Sequence, residues 1–282
     1  LNFYMQVAKI QYNDRNAPAK FTKSLKETGF GVISDHPIHF ELVDGVYKEW
    51  ETFFSSDSKH DYLFDPLKQD GYFPTGTENA KGYQVKDHKE FYHFYPWGRL
   101  PNTLTGATLE LYNNLVTMTS IFLEWIEKNT PEKVRSQFRE PLKNMINGSK
   151  TNLLRIIHYP PFTGNEDDRS LRAAAHEDIN LITLLVAGTR PGLEARDKDG
   201  KWHKITTDPG TIIVNIGDML KEASGGYYPS TTHRVVNPKK QSNNSRYSIP
   251  LFLHPRNEVV LSEKYTAGEY LAERLQEIGL KN

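Results

Sequence analysis

Two histidines and an aspartate stand at a spacing that a metal can use: His176 and Asp178 form an H-x-D pair, and His233 follows fifty-five residues after Asp178. In an extended strand, residues i and i+2 point to the same side. Glu177 then faces away, and His176 and Asp178 can share one ion. Two neutral imidazoles and one carboxylate on one side of a metal form the donor set of a non-haem Fe(II) that keeps its opposite positions open for O₂ and a co-substrate. H-x-D alone recurs by chance, and a lone histidine is more often a hydrogen-bonded structural residue, so the flanking residues must decide. The pair sits in AAAHEDINLITLLVAG, where Ile179, Leu181, Leu184 and Val186 suit a buried strand leading away from it. His233 lies in SGGYYPSTTHRVVNP, a glycine-rich turn running into β-branched residues, and thirteen residues later come Arg246, Tyr247 and Ser248. Arg246 and Ser248 again share a face. A guanidinium fork beside a hydroxyl suits a carboxylate in a closed pocket, whereas an exposed ion pair, the plainer use of an arginine, contributes only about 0 to 1 kcal/mol. The other histidines (His36, His39, His60, His88, His93, His158, His203 and His254) have no second ligand at a diagnostic spacing. No chemistry is assigned to them.

With these stretches in hand, the chain resembles the iron(II)/2-oxoglutarate-dependent oxygenases of the plant-type, isopenicillin-N-synthase-like branch, also called iron/ascorbate oxidoreductases. HEDINLITLL, GLEARDKDGKW, PGTIIVNIGDML, SGGYYPSTTHRVVNP and RYSIPLFLHP follow that family's catalytic domain in order, and TGFGVISDHPI and the helix ending at Phe54 resemble its N-terminal region. The resemblance implies that His176, Asp178 and His233 are the iron ligands and catalytic centre. It also implies that Arg246 and Ser248 bind the distal carboxylate of 2-oxoglutarate and that Tyr159, in IIHYPP, assists them. The implied reaction is oxidation of a small molecule by O₂ with release of succinate and CO₂. Hydroxylation is the default outcome, desaturation and ring closure are variants, and ascorbate is a candidate reductant. An iron oxidase of the same scaffold that does without 2-oxoglutarate is the alternative, followed by a catalytically silent metal-binding jelly roll. Two departures stand out: Ile157 occupies the place where the family commonly has asparagine, and the His233–Arg246 spacing is longer than usual. The extra residues fall in the polar run Lys239 to Asn244, read as a solvent-exposed hairpin loop.

Composition narrows the partners. The 282 residues carry 35 basic and 35 acidic side chains, so no long-range field favours nucleic acid or an anionic membrane. No apolar run approaches the roughly 20 residues needed to span a bilayer, and no leader pattern opens the chain. With no cysteine there are no disulfides and no thiolate metal site. A cytoplasmic enzyme acting on a small molecule is the natural expectation; oligomeric state is left open.

The elements that must position the site follow from periodicity. Asn16 can cap a helix with Pro18 in its first turn and Gly29 as its stop; a strand at Phe30 to Ile33 and an amphipathic helix from Phe40 to Phe54 come next. Residues 57–98 read as irregular connections with short strands, and their aromatics Tyr72, Phe73, Tyr83, Phe91, Tyr92 and Phe94 could cover a site or simply pack. Leu109 to Ile126 marks a long helix that ends before Pro131, and Val134 to Met145 suggests another, interrupted or ended near Pro141. From Thr151 the pattern changes to short β-branched runs: 153–159, 179–187, 193–196, 211–216, 232–236 and 247–253. Asp197 to Gly200 reads as a tight hairpin turn. Asn215 and Asp218 lie near where the resembled family has a strand and turn beside the metal; turn chemistry with Gly217 is the plainer reading, preferred for Asp218. Thr266 and Glu269 offer a capping box for a last helix through Leu271, Leu275 and Ile278. Strands without intervening helices predict an antiparallel sandwich or jelly roll, and the resemblance implies a mainly β protein with flanking helices and a double-stranded β-helix (jelly roll, cupin-like) core. The expected division is an N-terminal oxygenase region at 1–100, scaffold helices at 101–149, the jelly-roll Fe(II)/2-oxoglutarate dioxygenase domain at 150–256 and a C-terminal helix at 257–282.

Overall fold

The computed structural model describes residues 5–78, 85–167 and 169–277. Among them lie, in chain order, β1 (Lys9–Gln11), α1 (Ala17–Thr28), β2 (Phe30–Ser34), α2 (Phe40–Ser55), β3 (Gly71–Phe73), β4 (Glu90–Phe94), α3 (Ala107–Asn129), α4 (Glu132–Arg135) and α5 (Leu142–Ile146). The second half supplies β5 (Leu153–Tyr159), β6 (Ala173–His176), β7 (Ile182–Val186), β8 (Leu193–Arg196), β9 (Trp202–Lys204), β10 (Ile212–Ile216), α6 (Asp218–Ala223), β11 (His233–Val235), β12 (Arg246–Leu253) and α7 (Ala267–Glu277). One sheet has eight strands in the order β1-β2-β10-β7-β12-β5-β4-β3, and the other has four in the order β6-β11-β8-β9. Together they form the double-stranded β-helix that the family resemblance implies.

Alternation divides each long strand between two environments. On β12, Tyr247, Ile249, Leu251 and Leu253 join the main core, shared with Trp50 of α2 and Leu111, Leu115 and Phe122 of α3. Arg246 and Ser248 occupy the other side of that strand. The same division puts Leu154 and Ile156 of β5 in the helix-covered core and Ile157 and Tyr159 in a smaller cluster with Phe91, Ala173 and Val235 between the sheets. The helices thus seal the outer face of the large sheet, and its inner face is left to build a site.

Local chemistry explains most boundaries. α1 ends where Gly29 adopts the left-handed φ of 74°, and its N–H caps the Leu25 carbonyl. Asn16 precedes α1 without making a side-chain cap; its own N–H instead binds Asp14 Oδ1 at 2.7 Å. The expected helix around Val134 to Met145 is split into α4 and α5, each beginning after a proline, Pro131 and Pro141, whose rings bar helix continuation. The hairpin turn is confirmed between β8 and β9, with Gly200 at φ 81° and Asp197 N–H bonded to the Lys201 carbonyl. The capping box holds as well: Glu269 Oε2 accepts from Thr266 N at 2.8 Å, and Glu269 N donates to Thr266 Oγ1 at 3.3 Å. Ile278, the last residue assigned to that helix, lies outside the described residues.

Two differences matter for the site. Residues 57–98 contribute β3 and β4 to the large sheet, with β4 paired directly to β5. The long segment between His233 and Arg246 is not a hairpin loop, because β11 and β12 belong to different sheets and the chain crosses between them. A short 3₁₀ turn at Lys240–Ser242 and two hydrogen bonds between Asn243 and the Phe162 backbone, at 2.9 and 2.7 Å, order this crossing.

Candidate active site

His176 closes β6 and His233 opens β11, and the two are directly paired across the small sheet. Their register shifts between this pair and Ala173–Val235, so β6 carries one extra residue. Such a bulge re-aims the side chains that follow it. The two rings lie 4.4 Å apart between centroids. A third donor meets them: Asp178 Oδ1 is 3.8 Å from His176 Nε2 and 3.6 Å from His233 Nε2. One ligand atom from each residue lies within 4.8 Å of the others, the grouping a single ion requires.

The placement of Asp178 corrects the strand argument. β6 stops at His176, so Asp178 lies past the strand and alternation alone does not aim it. Hydrogen bonds do. The Asp178 carbonyl accepts from Asp218 N at 2.7 Å, and its Oδ2 accepts from Thr183 Oγ1 at 2.7 Å and from Asn215 Nδ2 at 2.8 Å. Leaving the strand early also delays the next one, so β7 starts at Ile182 and not at Ile179. Asn215 therefore has a stronger role than turn chemistry, since it fixes one carboxylate oxygen and leaves Oδ1 toward the histidines.

Protonation suits the same end. Nδ1 of His176 faces the Ala174 carbonyl at 2.8 Å, and Nδ1 of His233 faces the Thr231 carbonyl at 3.0 Å. A carbonyl only accepts, so each Nδ1 carries the hydrogen and each Nε2 keeps its lone pair for a metal. Loss of solvation at the inward part of its ring, and then the neighbouring His233, push the His176 imidazole below its ordinary value. Burial would raise the Asp178 carboxyl, but His233, His176 and the Thr183 and Asn215 hydrogen bonds outweigh it and hold the group below the usual carboxylate range. The His176 side chain is 37% exposed and that of Asp178 4%, so the site opens on the His176 side. The donor set therefore fits Fe(II): two neutral imidazoles and an ionised carboxylate on one side, with an open approach on the other.

Arg246, Ser248 and Tyr159 are also brought together. Arg246 pairs in register with Tyr159 and Ser248 with Ile157. The guanidinium is 1% exposed, its Nε donates to the Arg190 carbonyl at 3.0 Å, and its Cζ lies 5.1 Å from the Tyr159 ring centroid. Among the described residues its Nη1 is buried without a partner. An unpaired buried guanidinium is costly unless an anion meets it, so a carboxylate ligand fits this pocket. Gly188 makes room for it: a Cβ there would lie 3.2 Å from Arg246 Nη2 and 3.0 Å from the Tyr247 carbonyl.

Sequence spacing gave no sign of a charged group nearby. Lys89 pairs with Glu78 at 2.8 Å and Asp87 at 2.9 Å, and Arg155 reaches Glu78 at 3.2 Å and His93 Nε2 at 3.1 Å. Asp87 Oδ1 accepts from Ala174 N at 3.1 Å, which ties this group to the strand bearing His176. Phe91 lies between the cations, 4.8 Å from Arg155 and 5.8 Å from Lys89, and stacks on Phe73 at 4.5 Å. Among the aromatics singled out in this region, Phe73 and Phe91 belong to the inter-sheet cluster, whereas Tyr72, Tyr92 and Phe94 pack into the main core. Tyr83 lies outside the described residues. His158 binds Glu90 at 2.7 Å and stacks on Tyr247 at 4.5 Å, a structural use on the opposite face from Tyr159.

Comparison with known proteins agrees with this geometry. Residues 150–255 match the model of the 2OG-Fe(II) oxygenase superfamily, and residues 8–114 match that of the non-haem dioxygenase in morphine synthesis N-terminal region. Clavatol oxidase claD of Penicillium crustosum is 38% identical, with 80% of this chain and 76% of that protein covered. A crystal structure described as an oxygenase from Shewanella oneidensis superposes with a TM-score of 0.89 at 50% identity, covering 98% of this chain and 99% of the other. A second, described as a 2OG-Fe(II) oxygenase family protein from Caulobacter crescentus, gives 0.79 at 30% identity, covering 96% and 99%. The chain belongs to the 2OG-Fe(II) oxygenase superfamily, and it is an Fe(II)- and 2-oxoglutarate-dependent dioxygenase.

Proposed function

We propose that His176, Asp178 and His233 hold the Fe(II), that Arg246 and Ser248 with Tyr159 hold the distal carboxylate of 2-oxoglutarate, and that the enzyme hydroxylates a small molecule. The reading is carried by one observation: three donor atoms converge within 4.8 Å of one another, and among the described residues the buried Arg246 guanidinium has no carboxylate partner. When bound, the iron and 2-oxoglutarate supply the oxidising power, with O₂ consumed and succinate and CO₂ released. The protein supplies the rest. The Ala174 and Thr231 carbonyls fix the two imidazole tautomers, and Thr183 and Asn215 keep Asp178 ionised and aimed. Arg246 orients the co-substrate by its far end. The helix-packed sheet excludes water from behind the site, and the exposed His176 side admits substrate.

Balanced charge supports a small-molecule substrate over nucleic acid. Among the described residues no helix is long and apolar enough to cross a membrane. We place the enzyme in the cytoplasm, with ascorbate as the reductant that keeps its iron ferrous.

Metal analysis and product accounting test the assignment. The purified protein should hold one Fe(II) per chain, and His176→Ala and His233→Ala should each lose it while unfolding cooperatively. Each turnover should release one succinate and one CO₂. Activity that survives complete chelation overturns the metal assignment. Substrate oxidation without succinate assigns the chain to the iron oxidases that dispense with 2-oxoglutarate.

A further inference from the structure

A second arginine lies beside the first. Arg172, immediately before β6, is 2% exposed, and the notion that it merely decorates the surface fails on that ground. Its backbone N–H binds Asn237 Oδ1 at 3.0 Å, and its Nη2 donates to the carbonyl of Asn244, two residues before Arg246. The next residue, Ala173, packs in the same cluster as Tyr159, whose ring carries the Arg246 guanidinium. Arg172 lies close enough to Arg246 and to Tyr159 to act on both electrostatically, and Arg246 sits over the Tyr159 ring. Arg172 Nε is buried without a partner, as is Arg246 Nη1, and among the described residues neither guanidinium is paired with a carboxylate. Burial and the nearby Arg246 charge pull Arg172 down to about 10, the direction expected when two cations share a dry space.

We infer that Arg172 is a second cationic residue of the co-substrate pocket, and that the Arg172–Arg246 pair selects a dicarboxylate over a 2-oxo acid lacking the distal carboxylate. The inference rests on the reading of Arg246 given under Proposed function. Two uncompensated buried cations repel each other and lack solvation, whereas one carboxylate between them relieves both and can accept both free N–H groups. A structural anchor for the crossing from β11 would need Nη2 alone. It would leave Nε unsatisfied for no return.

Calorimetric titration of the Zn(II)-loaded protein tests this without turnover, using 2-oxoglutarate and 2-oxovalerate, which keeps the 2-oxo acid end and lacks the second carboxylate. Wild type should prefer 2-oxoglutarate. Arg172→Gln and Arg172→Met should each weaken 2-oxoglutarate about tenfold or more, as loss of a charge-assisted contact does, and leave 2-oxovalerate nearly unchanged. Without ligand, Arg172→Met should melt no lower than wild type, because a buried unpaired charge is removed. Equal losses for both ligands, or loss of cooperative unfolding in both variants, would make Arg172 a scaffold residue and overturn the inference. A preference that survives undiminished in both variants overturns this inference alone; a wild-type protein with no preference overturns the Arg246 reading together with it.

Discussion

Asn215 shows how much a residue can do without touching a metal. Its Nδ2 holds one oxygen of Asp178, so Asn215→Ala should leave the three donors in place and loosen the aim of one. Partners of metal ligands typically matter by about ten- to a hundredfold in affinity. Competition with a fluorescent chelator should show Fe(II) affinity falling by that order while the melting temperature barely moves. Glu90 makes a different point, far from any donor. Burial would raise its carboxyl, but hydrogen bonds from His158, Tyr72 and Lys59 together hold it below its ordinary 4.5. A depressed folded-state value means that the ionised form stabilises the fold above the unfolded value, and that this stabilisation is lost as pH falls below it. The melting temperature of wild type should therefore drop more steeply below about pH 4.5 than that of Glu90→Gln, and the two curves should converge in acid. Parallel curves would assign Glu90 no linkage role.

Elements carry these residues, and some elements tolerate no added atom. Gly217 joins β10 to α6 with an ordinary φ of −98°, so it is not there for conformational freedom. It is there for space: a Cβ would sit 2.0 Å from the Asn180 carbonyl oxygen. Gly217→Ala should force apart the turn in which Asp218 N holds the Asp178 carbonyl, costing about 2–3 kcal/mol of stability and weakening metal binding. Calorimetric melting and metal titration of one sample check both. At this scale the sequence was legible where an apolar run had clear ends: 153–159 was read to the residue because Leu, Ile and Tyr dominate it and Pro160 and Pro161 stop it. It was less legible where hydrogen bonds override periodicity, as at Asp178, which leaves β6 to meet Thr183 and Asn215. A signal for Asn215 was available, an amide inside the otherwise apolar strand Ile212–Ile216, since a buried polar group needs a partner. No signal marked the Glu78, Lys89 and Arg155 group, because its members are brought together by sheet pairing and not by spacing. Arg172 was hidden for the same reason.

At the scale of the molecule, the large sheet takes half of its eight strands from the first hundred residues. β2 lies against β10, and β4 lies against β5. The division at residues 150–256 is then one of sequence pattern, and we expect that segment alone to leave the long flanks of β10 and β5 uncovered. Expressed as an isolated fragment, it should lack a cooperative unfolding transition in urea, and adding residues 1–149 as a separate chain should restore one. A fragment that melts sharply by itself would show that the small sheet and four central strands suffice.

The interleaved strand order also governs how the enzyme can be made. β2 ends at Ser34, yet its antiparallel neighbour β10 begins only at Ile212, and β5 waits for β12 at Arg246. A growing chain therefore carries open strand edges through most of its synthesis, with no later segment yet available to cover them. Ribosome-bound chains halted before Ile212 should be held by chaperones and cut readily by protease, and release of the last strand should end both within one step. The fold that gathers its proposed metal donors from distant segments is one that a cell must shelter until nearly all of it has been translated.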